Sequence, residues 1–212
     1  MNDNRNYDWN DSSVFCRSEY QYIEAWVERK STLIDLGCGN GSLLRILREN
    51  KDCQGHGIEI NKNGVIICQQ NGLNVREGRI DIPLNHIDDN KYEYAICNVS
   101  IQMVSQPEIL LSEMKRIAKY QIVSFPNFAF IWQRLELLFS GRMPRKLLYG
   151  YNWYNTGHIH QFSINDFKIT ANDMGLRIID SVFLLGKHRT MSFLANIFAT
   201  EAIFLLQGED TH

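Results

Sequence analysis

The sequence predicts an α/β fold, a doubly wound, mostly parallel seven-stranded sheet with one antiparallel edge strand. Three observations carry that expectation. Between Ser31 and Phe125, short apolar runs alternate with helix-like segments, as parallel strands joined by right-handed crossovers require. The stretch "LIDLGCGNGSLL", Leu33 to Leu44, passes from an apolar strand through three alternating glycines into a helix. The last two strand-like runs lie close together, which suits an antiparallel addition at one edge.

The elements follow in order. The first dozen residues are polar and rich in Asn and Asp, a tail without apolar period. From Ser13 to Arg29, the spacing of Val14, Tyr20, Ile23 and Val27 predicts an amphipathic lead-in helix. "STLIDLG" is a buried strand and "SLLRILREN" the helix after it. "CQGHGIEI" is a second strand ending at Glu59, and "NKNGVIICQQNG" a short helix closed by Gly72. "LNVREG" is a third strand. "YEYAICNV" is a fourth, with the near-continuous apolar character of a strand covered on both faces. "QPEILLSEMKRIA" is a helix, and "YQIVSF" a fifth strand stopped by Pro126. An aromatic-rich, irregular insert then covers about 127–162. "SINDFKITANDMGL" is a helix with Ser163 as N-cap and Gly175 near its end. "RIIDSVFLLG" and "ATEAIFLLQ" complete the sheet. The domain plan is a tail and lead-in helix over 1–30, and one α/β domain over 31–212.

Composition narrows the function classes. The 212 residues are 44% hydrophobic and 22% charged, the mixture of an ordinary globular domain, and enough chain to bury roughly 70% of its unfolded surface. The formal net charge is -2 and no segment concentrates Lys and Arg, so neither a nucleic acid nor a membrane surface is expected as partner. The five cysteines are scattered singly, without metal-ligand spacing, as core residues of a reducing compartment would be. No apolar run reaches the roughly 18 residues of a membrane span and no secretory h-region opens the chain. The expected location is cytoplasmic.

Ligands of such sheets bind beyond the carboxyl ends of the strands. The glycine turn Gly37-Cys38-Gly39-Asn40-Gly41 fails the nicotinamide template G-x-G-x-x-G by one position. Asp35 ends the strand before it, where a carboxylate would repel a pyrophosphate and welcome an amine or sulfonium. Glu59 lies about 20 residues past Gly39, placed for the two hydroxyls of a ribose. Together they suit an adenosine ligand that carries positive charge and no phosphate, S-adenosylmethionine or S-adenosylhomocysteine. The candidate cofactor contacts are Asp35, Gly37, Cys38, Gly39, Gly41, Glu59, Ile60, Ile80, Asp81, Asn98 and Val99, of which Asp81 and Asn98 rest on the resemblance described next.

"IDLGCGNG" resembles the first motif of class I methyltransferases, a Rossmann-like fold, and Glu59 resembles their acid after the second strand. More narrowly, "LIDLGCGNGSLLRIL", "GHGIEI", "IVSFPNF", "GRMP" and "NWYNTGHIHQFSINDF" are similar to the methionine-biosynthesis protein MetW family, from about Ser31 to Phe183. The resemblance implies association with a homoserine O-acyltransferase, with the S-adenosyl site sensing a pathway product or merely retained. One departure stands out. Where the pattern places an acid after the glycine of "EG", this chain has Arg79, with Asp81 two residues later; either Asp81 or backbone substitutes, or adenine binding weakens.

Candidates for catalysis are sparser. His158 and His160 in the insert are possible bases for a methyltransferase acting on a small hydroxyl, carboxyl or amine acceptor; the other reading is that they order the insert. "NVSIQ" follows the fourth strand where amino-group methylases of nucleic acids carry Pro-Pro. Gln102, Asn127, Phe128 and Tyr154 are assigned to a substrate or partner pocket. "FIWQRLELLFSGRMP" forms a helix whose face of Phe130, Ile131, Leu135, Leu138 and Phe139 is either a lid or a partner surface.

Overall fold

The structure, a computed structural model, describes residues 17–145 and 151–209. Val14 and the rest of the polar tail lie outside the described residues. The lead-in helix α1 is Tyr20–Trp26, shorter than expected, and it buries Ile23 and Val27 against the sheet. The alternating half follows as predicted: β1 (Thr32–Leu36), α2 (Ser42–Lys51), β2 (Gln54–Glu59), α3 (Lys62–Gln70), β3 (Asn74–Glu77), β4 (Tyr92–Asn98), α4 (Pro107–Ile117) and β5 (Ala118–Pro126). A single 3-10 turn, Ile101–Met103, follows β4. The remainder is α5 (Ile131–Ser140), α6 (Ile164–Asp173), β6 (Leu176–Leu185), β7 (His188–Arg189), α7 (Ala195–Phe198) and β8 (Glu201–Gly208).

Local chemistry sets several boundaries. Asn61 caps α3 by accepting the N–H groups of Asn63 and Gly64. Ser163 caps α6 in a reciprocal capping box with Asp166, and Gly175 leaves that helix at φ +63°. Pro107 opens α4, where its missing N–H is no loss.

The sheet has eight strands in the order β3-β2-β1-β4-β5-β8-β6-β7. The first five are parallel neighbours. The long antiparallel strand is β8, and it lies inside the sheet between β5 and β6; the antiparallel strand at the edge is the two-residue β7. Burial explains the position of β8. Ala202, Phe204 and Leu206 face one hydrophobic cluster while Ile203 faces the other, and a strand apolar on both sides loses that burial at an edge. His188 and Arg189 are exposed, which suits an edge.

Two apolar layers flank the sheet. One holds α4 and α6 against Cys97, Val123, Phe125 and Phe204. The other holds α1, α2 and α3 against Leu33, Ile96, Ile122 and Ile203. Because side chains alternate along a strand, Asp35, Asn98, Ser124 and Glu201 all project toward this second layer, at the carboxyl ends of the parallel strands. Among the described residues no helix is long and apolar enough to cross a membrane.

Candidate functional site

Three strand ends and one helix start converge on this mouth. Gly37, Gly39 and Gly41 carry φ values of +84°, +58° and +75°, so the chain turns sharply from β1 into α2. A Cβ on Gly37 would stand 2.6 Å from Ser100 Oγ, closer than side chains tolerate, so only glycine fits between β1 and the turn after β4. Ile58 O accepts the Gly37 N–H at 2.8 Å, which ties the turn to β2.

Asp35 is 2% exposed, and its Oδ1 has no hydrogen-bond partner. Burial, and then the nearby Glu59, push its carboxyl up to about 7 from the usual 3.8. A buried carboxylate in this condition is matched by a cation that brings its own donors. Glu59 is also buried. Its Oε2 accepts the Gly39 N–H and its Oε1 the Asn61 N–H, both at 2.8 Å, so the carboxylate is fixed in direction with lone pairs remaining for hydroxyl donors. Ile60 is exposed beside it, and Ile80 is buried 3.6 Å from the Cβ position of Gly37.

Other assigned residues play different parts. Cys38 turns its thiol beneath the turn, toward Gly57 and Cys68, as part of the core; only its backbone faces the mouth. Asp81 does not stand open to a ligand. Arg79 binds it through two hydrogen bonds of 3.0 and 2.8 Å, and Ser105 N–H adds one of 2.7 Å. Burial raises its pKa, but these partners outweigh it and hold the carboxyl below its usual range. Arg79, which stands where the family pattern has an acid, therefore neutralises Asp81. Asn98 donates to Glu19 Oε1 at 3.2 Å and accepts from Ser124 Oγ at 2.6 Å. Val99 sits at φ +51°, a strained setting for a β-branched residue. Its N–H is held by Ser124 Oγ and Ser124 O.

The pocket residues separate in the same way. Gln102 is 2% exposed; its Nε2 donates to Val99 O at 2.9 Å and its Oε1 has no partner. Gln102 O accepts the N–H groups of Ile159 and His160, both at 3.0 Å, so the insert hangs over the end of β4. His160 Nε2 is buried without a partner, whereas the His158 side chain packs inside. Asn127 is a correction: its amide donates to Ala195 O, Asn196 O and Ala199 O and accepts from Ala129 and Ile164. It locks the end of β5 to α6 and α7 and offers nothing to a ligand. Phe128 is half-buried, its N–H on Phe162 O. Tyr154 is 64% exposed and packs edge-on against Trp153, outside the mouth. Of the apolar face expected on α5, Leu138 and Phe139 are 72% and 80% exposed while Phe130 is buried, and Gln133 is buried as well.

Sequence reasoning missed Glu201 and Ser124. Glu201 stood as a lone acid heading the apolar run "ATEAIFLLQ", but only the antiparallel return of β8 brings it beside Pro126 at the mouth.

A family model, Methionine biosynthesis protein MetW, matches residues 17–206. The chain belongs to the MetW family. It is 31% identical over 166 residues to the bifunctional methionine biosynthesis protein MetXA/MetW of Rhodopirellula baltica, covering 72% of this chain and 26% of that relative. It thus spans about a quarter of the length of the curated MetW relative it matches. Among solved structures, similarity extends to the complex between the Haloferax volcanii Trm112 methyltransferase activator and the putative methyltransferase, with TM-score 0.67, 15% identity, and 90% and 89% of the two chains covered. A Thermotoga maritima S-adenosylmethionine-dependent methyltransferase, described as a possible histamine N-methyltransferase, gives TM-score 0.66, 16% identity, and coverage of 91% and 88%. At such identities the likeness establishes the methyltransferase fold and nothing finer.

Proposed function

We propose that this MetW chain binds S-adenosylmethionine or S-adenosylhomocysteine at the glycine turn and acts with a homoserine O-acyltransferase in methionine biosynthesis. The observation that carries the cofactor reading is Asp35, whose buried and unpartnered Oδ1 fits a cationic ligand. In this reading Asp35 faces the positive charge, Glu59 takes the ribose hydroxyls, and Ile60 and Ile80 flank the adenine. With Asp81 engaged by Arg79, backbone groups serve the adenine edge. Support for the partner comes from the relative in which MetXA and MetW share one chain. The exposed Trp132, Leu137, Leu138 and Phe139 of α5 are of the kind that anchor protein interfaces.

Isothermal titration with S-adenosylhomocysteine tests the cofactor reading: micromolar binding, worth about 8 kcal/mol, is expected and is lost in Asp35→Ala. For the partner reading, the acyltransferase should lose activity without this chain. Full activity of the acyltransferase alone overturns it.

The unpartnered His160 Nε2 favours a second reading, an active methyltransferase on a small hydroxyl, carboxyl or amine acceptor. The cofactor supplies an electrophilic methyl whose transfer leaves the bonding pair on sulfur, and His160 would take the acceptor's proton. His160→Ala should then abolish turnover without changing cofactor affinity; unchanged turnover excludes that base.

A further inference from the structure

The mouth is rich in hydrogen-bond acceptors that lack donors. Asp35 Oδ1 and Gln102 Oε1, on two side chains that are each 2% exposed, have no partner. Glu19, at the start of α1, is equally buried and accepts both Arg17 and Asn98 on Oε1. Glu201 makes no side-chain hydrogen bond among the described residues. It is held in the field of Glu19, which disfavours its charge, and of Arg17, which favours it.

The geometry joins these groups. Asn98 pairs in register with Ser124, Ser124 with Ile203, and Pro126 with Glu201. Glu201 and Ile203 share one face of β8, so Glu201 stands on the same side of the sheet as Asn98 and Ser124. Glu19 closes over them from α1.

Charge matching then leaves one acid over. Either cofactor form brings a primary ammonium for Asp35, and Glu59 is already held by the Gly39 and Asn61 N–H groups. Arg17 answers Glu19 at 3.3 Å. Glu201 remains: it shares the field of Arg17 with Glu19 and has no cation of its own, so an added cation stabilises its anionic form. A neutral alcohol or an anionic acid would leave it unanswered.

We infer that the mouth over the ends of β4, β5 and β8 is a subsite for the primary ammonium of a small ligand, with Glu201 as its counter-ion and Glu19 alongside. This deepens the function proposed above and rests on Asp35 serving the cofactor. Gln102 Oε1, in the turn that follows β4, is buried without a donor as well.

The test is an NMR titration of the 15N-labelled chain with n-butylammonium chloride, compared with n-butanol, in saturating S-adenosylhomocysteine. Saturable amide shifts around Glu19, Asn98 and Glu201 are expected with the ammonium, at an affinity at least tenfold above that for the alcohol. Glu201→Gln should remove that preference. Equal affinity for the two probes, absence of a saturable shift, or an unchanged preference in Glu201→Gln overturns the subsite. If Glu201→Gln fails to fold, the comparison of probes on the wild-type chain decides alone. A chain that binds no S-adenosylhomocysteine counts against the cofactor reading; the same two probes are then compared without it, and the subsite is judged by those shifts.

Discussion

Replacing Asp35 by asparagine should stabilise the ligand-free chain at alkaline pH while weakening its ligand affinity. The carboxyl is fully buried and pushed from 3.8 up to about 7, by burial first and by Glu59 second. Below about pH 4, Asp35 is protonated in the folded and unfolded chains alike and costs nothing. Between 4 and 7 the unfolded chain ionises first, so stability falls as pH rises. Above 7 the full cost is present. That window spans roughly three pH units at about 1.4 kcal/mol each, an upper bound of about 4 kcal/mol. Asparagine removes this term, but its amide brings buried donors worth about 1–3 kcal/mol if they are left unpaired. The offset is independent of pH, so the slope is the clean observable. Urea denaturation at pH 5 and pH 8 should show the stability difference, variant minus wild type, rising by about 2–3 kcal/mol. A difference that stays flat, or falls, refutes the account of Asp35 as a destabilising buried acid. The loss of a charged hydrogen bond worth about 1.5–3 kcal/mol predicts S-adenosylhomocysteine binding weakened by one to two orders of magnitude.

Three other substitutions probe the surroundings. Gly37→Ala puts a Cβ 2.6 Å from Ser100 Oγ at φ +84°, and thermal denaturation should show a loss of about 2 kcal/mol or more. Asn127→Ala strips partners from three carbonyls and two N–H groups at the junction of β5, α6 and α7; a loss of about 3 kcal/mol or more is expected by urea titration, with little effect on ligand binding. Burial, and then Glu19, push the Glu201 carboxyl up to about 8 while Arg17 opposes them. Glu201→Gln should therefore gain stability relative to wild type as pH rises from 5 to 9, with no gain below pH 5.

The alternating half of the fold was legible because each of its elements carries a local signal: apolar period, the turn glycines, and caps such as Asn61. Asp35 and Glu59 were legible for a related reason, since the strand-end rule needs only the ends of β1 and β2. Partnerships distant in sequence were not. Glu19 and Asn98 are 79 positions apart when they bond, and Glu201 enters the site only through the placement of β8. Cys38 shows another limit, because the motif identifies the backbone turn but not which way its side chain points. Asn127 misled because two flanking phenylalanines suggest a pocket, while α6 and α7, built from later sequence, take every polar atom of its amide. On α5, apolar periodicity grouped Leu138 and Phe139 on one face but could not tell a lid from a partner surface. It also gave no sign that Gln133, whose amide atoms have no partners, is buried.

Gln102 is where ligand site and insert meet, and that junction makes the partner reading quantitative. Its side chain donates to the carbonyl of Val99, one of the proposed cofactor contacts, while its own carbonyl holds Ile159 and His160. The ends of the insert are tied by Phe128 N–H on Phe162 O, and α5 with its exposed apolar residues lies between them. Val99 is strained, and Ser124 keeps it so; a ligand that shifts this turn also shifts the backbone carrying the insert. If the partner binds α5 and prefers one position of the insert, linkage requires a reciprocal effect. Whatever factor the acyltransferase adds to S-adenosylhomocysteine affinity, the ligand must add to acyltransferase affinity. The expected factor is about 5–150, the usual range for coupled sites, and paired titrations measure it from both directions. Gln102→Ala should reduce it, because the alanine keeps the carbonyl tie to the insert but loses the bond to Val99. A ligand affinity identical with and without the acyltransferase would mean that the site and the partner surface act independently, and the sensing form of the proposal would fall.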